Sequence, residues 1–166
     1  DLLARLPDWP IRDGILAEWA DESAEENHAH RHVSHLYPLF PGSAVTTVPA
    51  EQGARLKDAA VESLRRREAA NRGDACSFTY VWAALLFAHA GCGNEAYERL
   101  RLFCRGFLMD NLLTSMGERR QRGMGRGRSA GLASHILQIE AGLAATAAIA
   151  EMLLQSTPAR IMVLPA

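Results

Sequence analysis

SFTYVWAALLFAHAG, residues 77–91, repeats Phe78, Val81, Trp82, Leu85, Leu86 and His89 at helical spacing. Side chains so placed share one face, and the spacing predicts an α-helix that Ser77 caps and Gly91 closes. Reading outward, Pro49 and Glu51 open a helix upstream whose apolar stripe is Leu56, Ala60 and Leu64 with Val61 beside them, and Gly73 is expected to end it. Downstream, Asn94 is expected to cap a helix with Tyr97, Leu100, Cys104, Phe107 and Leu108 inward. From Ala141 to Gln155, AGLAATAAIAEMLLQ combines high helix propensity with small residues suited to close helix packing, and Thr157 and Pro158 stop it. The N-terminal stretch LLARLPDWPIRDGILAEWADE suggests a further helix from about Gly14, through Ile15, Leu16 and Trp19. Glu118 to Gly131 turns to Arg and Gly without periodicity and reads as a loop. Successive helices with short connections and no clear repeat point to an all-α layered or toroidal arrangement.

The chain has 166 residues, 48% hydrophobic and 22% charged, enough for one domain with a core. A formal net charge of -1 gives no global attraction to nucleic acid or an anionic membrane, so recognition must be local. RRQRGMGRGR, residues 119–128, could touch phosphates, but one such tract in a near-neutral chain is a weak nucleic-acid footprint. Cys76, Cys92 and Cys104 lack C-x-x-C spacing and are odd in number, which fits buried or idle thiols. Neither a membrane-spanning run nor a signal-peptide pattern is present, and the compartment is not encoded. The start at Asp1 and the stop after IMVLPA, which reads as a strand with no later partner, suggest that both ends are cut.

HAHRHVSHLYPLFPG, His28 to Gly42, sets four histidines and Arg31 against Leu36, Tyr37, Leu39 and Phe40. Hydrogen-bonding rings beside an apolar wall are what a polar ligand pocket needs. The run resembles the HRH-x-SHL-x-x-L-[FY]-PG signature of glycoside hydrolase family 95, the α-L-fucosidases, through His30, Arg31, His32, Ser34, His35, Leu36, Leu39, Phe40, Pro41 and Gly42. A second resemblance to that family lies in QIEAGLAATAAIAEMLLQS, Gln138 to Ser156, and the likeness extends from about Leu3 to Pro165. It implies a catalytic (α/α)6 barrel flanked by β domains. Residues 1–157 would form the C-terminal half of that barrel, a partial toroid, and residues 158–166 the start of a following β segment. A half-barrel would leave a seam open, and self-association through it is expected.

Inverting hydrolysis needs a carboxylic acid for the leaving oxygen and a base that activates water across the bond. The resemblance places the family's acid glutamate and two water-activating asparagines before the signature, in segments this sequence does not contain, so the isolated chain is expected to be inactive. Arg31 and His32 stand where the family binds sugar hydroxyls; His35 joins them as a candidate substrate-binding residue, although with Ser34 it suits loop support better. Glu140 occupies the place of the family's auxiliary aspartate, with Ala141, Gly142 and Leu143 where glycine, asparagine and phenylalanine stand. The extra methylene moves its carboxylate by roughly an ångström, a displacement that can cost on the order of 100-fold in rate. Apart from the resemblance, Glu140 also reads as a solvated carboxylate at a helix start. Further departures are Phe78, Thr79 and Tyr80 in the segment that retains Trp82, and the arginine-rich loop.

The implied substrate is a glycan bearing terminal α-L-fucosyl or α-L-galactosyl residues, with no cofactor, no metal, no nucleic acid and no membrane. Two other readings remain. His28, His32 and His35 would share a face if helical, as zinc ligands do. A helical carbohydrate-binding or scaffold module that has lost its chemistry is the other.

Overall fold

The structure, a computed structural model, describes residues 6–71, 74–119, 135–157 and 160–166. Among these the fold is mostly helical. A short hairpin, β1 (Ile11–Arg12) and β2 (Ile15–Leu16), leads through the histidine loop and a 3₁₀ turn at Ser34–Leu36 to the helices. The helices are α1 (Ala44–Thr47), α2 (Ala50–Ala70), α3 (Ser77–Ala90), α4 (Gly93–Gly106) and α5 (Ile139–Leu153). A second antiparallel hairpin, β3 (Leu154–Thr157) and β4 (Arg160–Val163), closes the described chain with Leu154 opposite Val163.

α3 is the structural axis. It carries no carboxylate, lysine or arginine, and it is buried on more than one side, with Val81, Leu85, Leu86, Phe87 and Ala88 all in the core. Leu86 and Phe87 face a cluster with Leu16, Leu36, Leu39, Leu56 and Leu64, which joins α3 to α2 and the histidine loop. Val81 and Leu85 face another cluster with Leu100, Phe103 and Phe107 of the α4 region and Ala141, Ala145 and Ala148 of α5. Those three alanines lie four and three positions apart, so α5 presents a smooth stripe that lets its backbone approach α3 closely.

α3 and α5 run in the same direction. Gln138, just before α5, bonds to the first residues of α3, while Gln155, just after it, donates from Nε2 to the Ala88 carbonyl at the far end of α3 (3.1 Å). Parallel neighbours with a return helix between them are the pattern of a helical toroid, and the chain forms part of one. The outward side of α5 leaves Ile139, Leu143, Ile149 and Leu153 exposed.

Several local expectations are corrected. The helix expected from Gly14 is a hairpin instead: Asp13 and Gly14 have φ of 50° and 77°, the paired left-handed geometry of a two-residue turn, and Asp-Gly is among the dipeptides that favour it. α2 ends at Ala70, and Gly73 lies outside the described residues. Cys76, not Ser77, precedes α3; its N–H donates to Thr79 Oγ1 (3.2 Å), and Ser77 begins the helix. Gly91 closes α3 in the left-handed conformation, as its place after the last apolar residue implied. α4 begins one residue before Asn94, and its inward stripe is Ala96, Leu100, Phe103 and Phe107, which leaves Tyr97 and Cys104 exposed.

α5 stops at Leu153, because Leu154–Thr157 pairs with Arg160–Val163 and the sheet ladder replaces two further helical residues. The strand in IMVLPA therefore has an earlier partner. Most of the arginine-rich loop lies outside the described residues.

Candidate functional site

Among the described residues few backbone groups of the histidine loop pair with other backbone, and one side chain of α2 supplies partners from beneath. Arg67 is only 3% exposed. Its Nη1 donates to the His30 and His32 carbonyls (3.4 Å each), and its Nη2 donates to Glu18 Oε2 (2.6 Å) and lies 3.7 Å from Glu26 Oε2. Glu26 Oε1 in turn accepts the Glu18 N–H (2.7 Å). One buried guanidinium thus ties the chain after β2 to the carbonyls on both sides of Arg31.

His35 is held from the same helix. Ser63 Oγ donates to the Leu16 carbonyl (3.1 Å), so its lone pair can accept the His35 Nε2–H at 3.0 Å. This fixes the tautomer and leaves Nδ1, buried without a partner among the described residues, as a bare acceptor. A proton there would be buried without an acceptor. Burial, then the neighbouring Arg67 guanidinium, holds the ring's pKa down at about 4, against the opposing pull of Glu18 and Glu26; His28 adds a smaller push downward.

The sign of the resulting pH dependence follows. Between about pH 6.5 and pH 4 the unfolded chain takes up a proton that the folded ring refuses. Stability contributed by neutral His35 is therefore complete above pH 6.5 and is lost as the pH falls toward 4, by roughly 2 kcal/mol once the ring's partial exposure is allowed for. His35→Gln, which can still donate to Ser63, should flatten this part of the curve. Urea midpoints at pH 7 and 4.5 test it, and an equal slope in both proteins would mean that the ring titrates normally.

Arg31 and His32 sit above this support. Arg31 is half-buried, and its Nη1 meets Asp74 Oδ2 at 3.3 Å, which leaves the other guanidinium donors available. His32 is exposed, its ring centroid 5.2 Å from that of His30. Partial burial, with the charges of Arg31 and His30, lowers its pKa and favours the neutral ring, which can both donate and accept. His28, His32 and His35 do not lie on one helical face, because the first two precede the 3₁₀ turn. Among the described residues no three His, Cys, Asp or Glu side chains gather as metal ligands. No helix among them is long and apolar enough to cross a membrane.

Glu140 lies in the first turn of α5, exposed. It reaches the same end of the fold as Arg31 through Gln138. Gln138 Oε1 accepts from Ser77 Oγ (2.5 Å) and the Phe78 N–H (3.1 Å), capping α3 from another part of the chain. Its own N–H donates to the Thr114 carbonyl (2.9 Å), and the Ser77 N–H donates to the Met116 carbonyl (3.0 Å). The start of α3 therefore joins both motif segments: Asp74, just before it, holds Arg31, and its first turn holds the strand-like lead into Glu140.

Sequence reasoning missed Arg67, Ser63, Glu18, Glu26 and Asp74. One signal was present. Arg67 continues the stripe of Leu56, Ala60 and Leu64 at the next helical interval, so an arginine there had to be buried and paired. At the end of the signature, Gly42 owes its identity to close approach. A Cβ there would lie 2.6 Å from the Tyr37 carbonyl oxygen, which the Gly42 N–H meets at 2.9 Å.

Known proteins resemble this chain in sequence. The chain is 34% identical to "Alpha-L-fucosidase 2" of Arabidopsis thaliana over 170 residues, covering 98% of this chain and 18% of that protein. It is 26% identical to "Probable alpha-fucosidase A" of Aspergillus niger over 98 residues, 59% of this chain and 12% of that one. The chain thus spans less than a fifth of the length of either relative. Residues 1–153 match the Glycosyl hydrolase family 95 catalytic domain, and the chain belongs to that family.

Proposed function

We propose that residues 1–157 are the C-terminal half of the catalytic domain of an inverting glycoside hydrolase that releases terminal α-L-fucosyl, or α-L-galactosyl, residues from oligosaccharides. Residues 158–166 then lead into the following β segment. The observation that carries this reading is the convergence of the Arg31–His32 loop and the Glu140 segment on the N-terminal end of α3.

In this reading Arg31, oriented by Asp74, donates to sugar hydroxyls, and neutral His32 donates or accepts beside it. An uncharged polyol suits both. His35 supports the loop through Ser63 rather than touching the sugar. Glu140 fixes the group that orients the attacking water. The proton donor for the leaving oxygen and the water-activating pair belong to the other half of the domain, so the chain by itself turns nothing over. The exposed apolar side of α5 would pack on that half, and in the isolated chain it would drive self-association.

A carbohydrate-binding module without chemistry is the second reading, and the exposure of Glu140 favours it. Hydrolysis of a fucosyl-α-1,2-galactoside by the full-length protein, with the first anomer followed by NMR, separates the two. Release of β-L-fucose supports the inverting hydrolase. Binding of fucose with no release supports the module. Arg31→Ala in the active protein should raise KM by about 10- to 100-fold, the loss of one or two charge-assisted hydrogen bonds. An unchanged KM would remove Arg31 from the sugar site.

A further inference from the structure

At the other end of α2 lies a cavity of about 490 Å³ that the hydrolytic reading leaves unused. Its walls come from the chain leading into β1, with Asp8 and Trp9, from Ile11 of β1, and from the first turns of α2, with Glu51, Gln52 and Arg55. Gln52 and Arg67 are fifteen residues apart on one helix, which places the cavity about 22 Å along the axis from the guanidinium under the histidine loop. It is therefore separate from the Arg31–His32 surface.

The lining selects a class of ligand. Trp9 is 42% exposed, so its indole offers an apolar face to whatever enters. Around it stand two carboxylates, one guanidinium and one amide, and none of these side chains has a hydrogen-bond or ion-pair partner among the described residues. Two negative charges against one positive disfavour a phosphate, sulfate or uronate. Two carboxylates without a third ligand make a poor cation site. A saturated ring with an apolar C–H face and a rim of hydroxyls that both donate and accept matches all of these groups: the C–H face would lie on the indole, and the hydroxyls would meet Asp8, Glu51, Gln52 and Arg55. The cavity volume is in the usual range for small-molecule sites.

We propose that this cavity is an accessory binding site for neutral pyranosides, with Trp9 as its stacking platform. It holds part of a glycan and performs no chemistry. That the glycan is a hydrolase substrate rests on the function proposed above; the saccharide class rests on the lining itself.

The test uses the full-length protein and fucose-free probes, β-1,4-galactotetraose and cellotetraose, which offer neutral pyranosides but no fucosyl group to cleave. Isothermal titration should show binding of at least one probe. Trp9→Ala should weaken it at least tenfold, Trp9→Phe should retain most of it, and hydrolysis of a small aryl α-L-fucoside should be unchanged in both variants. Absence of binding by the unsubstituted protein, or equal binding by Trp9→Ala, would overturn the proposal. A folding defect would appear as lost aryl fucoside hydrolysis or a lowered melting temperature. In that event Gln52→Ala, at the rim, serves instead, and unchanged binding there would likewise overturn it. Failure of the hydrolase reading is distinct: the unsubstituted protein would release no fucose while Trp9-dependent binding persisted.

Discussion

Arg67→Met should destabilise the full-length protein by about 3 kcal/mol, the low end of the cost of removing one partner from a buried ion pair. The figure takes the low end because the Glu18 and Glu26 side chains keep 21% and 17% exposure, so water can partly solvate them once the guanidinium is gone. The larger consequence is local. The His30 and His32 carbonyls lose their shared donor, and the backbone on either side of Arg31 is released. Hydrogen exchange across residues 26–33 should accelerate more than exchange in α3. On the function proposed above, KM for a fucoside should rise while the pH profile of kcat holds its shape, because Arg67 holds the backbone around Arg31 and His32 from beneath.

Arg67→Lys should recover part of the stability, since an ammonium can pair with Glu18 but cannot reach two carbonyls and two carboxylates with one planar fork. Denaturant midpoints of the three proteins measure this. An Arg67→Met midpoint equal to that of the unsubstituted protein would show that the buried network contributes nothing net, an outcome known for some buried ion pairs that are replaced by apolar groups.

The second large effect is expected at Gln138. Gln138→Leu keeps the side chain's bulk but removes the oxygen that accepts from Ser77 and Phe78. Ser77 is fully buried, and the Phe78 N–H belongs to the first turn of α3, where no carbonyl of the helix itself can serve it. Two donors left without an acceptor cost about 1–3 kcal/mol each, although a water admitted at the partly buried site would recover some of this. Because Gln138 immediately precedes α5, the loss should move Glu140 relative to Arg31. A shift of an ångström there should lower hydrolysis on the order of 100-fold. The two effects separate by experiment: the melting temperature reports the helix start, and, on the function proposed above, kcat at saturating fucoside reports the placement of Glu140. A variant that lost stability but kept kcat would uncouple Gln138 from the chemistry.

Replacing Gln138 tests whether Glu140 is held in place at all. Its carboxylate is exposed, and the order at this end comes from the backbone just before it. The residues at 140–143 fit that order. Ala141 is fully buried against α3, and a Cβ on Gly142 would meet the Thr114 methyl at 3.4 Å, ordinary contact. A Cβ at position 142 is therefore accommodated without displacing Thr114.

The sequence by itself placed the long helices, because a 3.6-residue repeat in apolar residues is written locally and burying that face is worth more than any alternative. α2, α3 and α5 were legible this way, and so was the left-handed stop at Gly91. So were the two motif segments that carry the candidate site, since each is contiguous in the chain. Short-range competition was read less well. At 11–16 the apolar residues fit a helix as well as a hairpin, and the Asp13–Gly14 turn settled the matter through backbone geometry. At 154–157 a sequence with good helix propensity became a strand because Arg160–Val163 could pair with it.

Tertiary structure alone decided how the site is supported. The tautomer of His35 depends on a serine 28 positions away and its neutral state on burial beside Arg67, and the order around Arg31 depends on Arg67 and Asp74, 36 and 43 positions further on. Burial, desolvation and hydrogen-bond satisfaction belong to the assembled packing of several elements. No window of sequence contains them, which is why the candidate site residues could be named in advance and the residues that hold them in place could not.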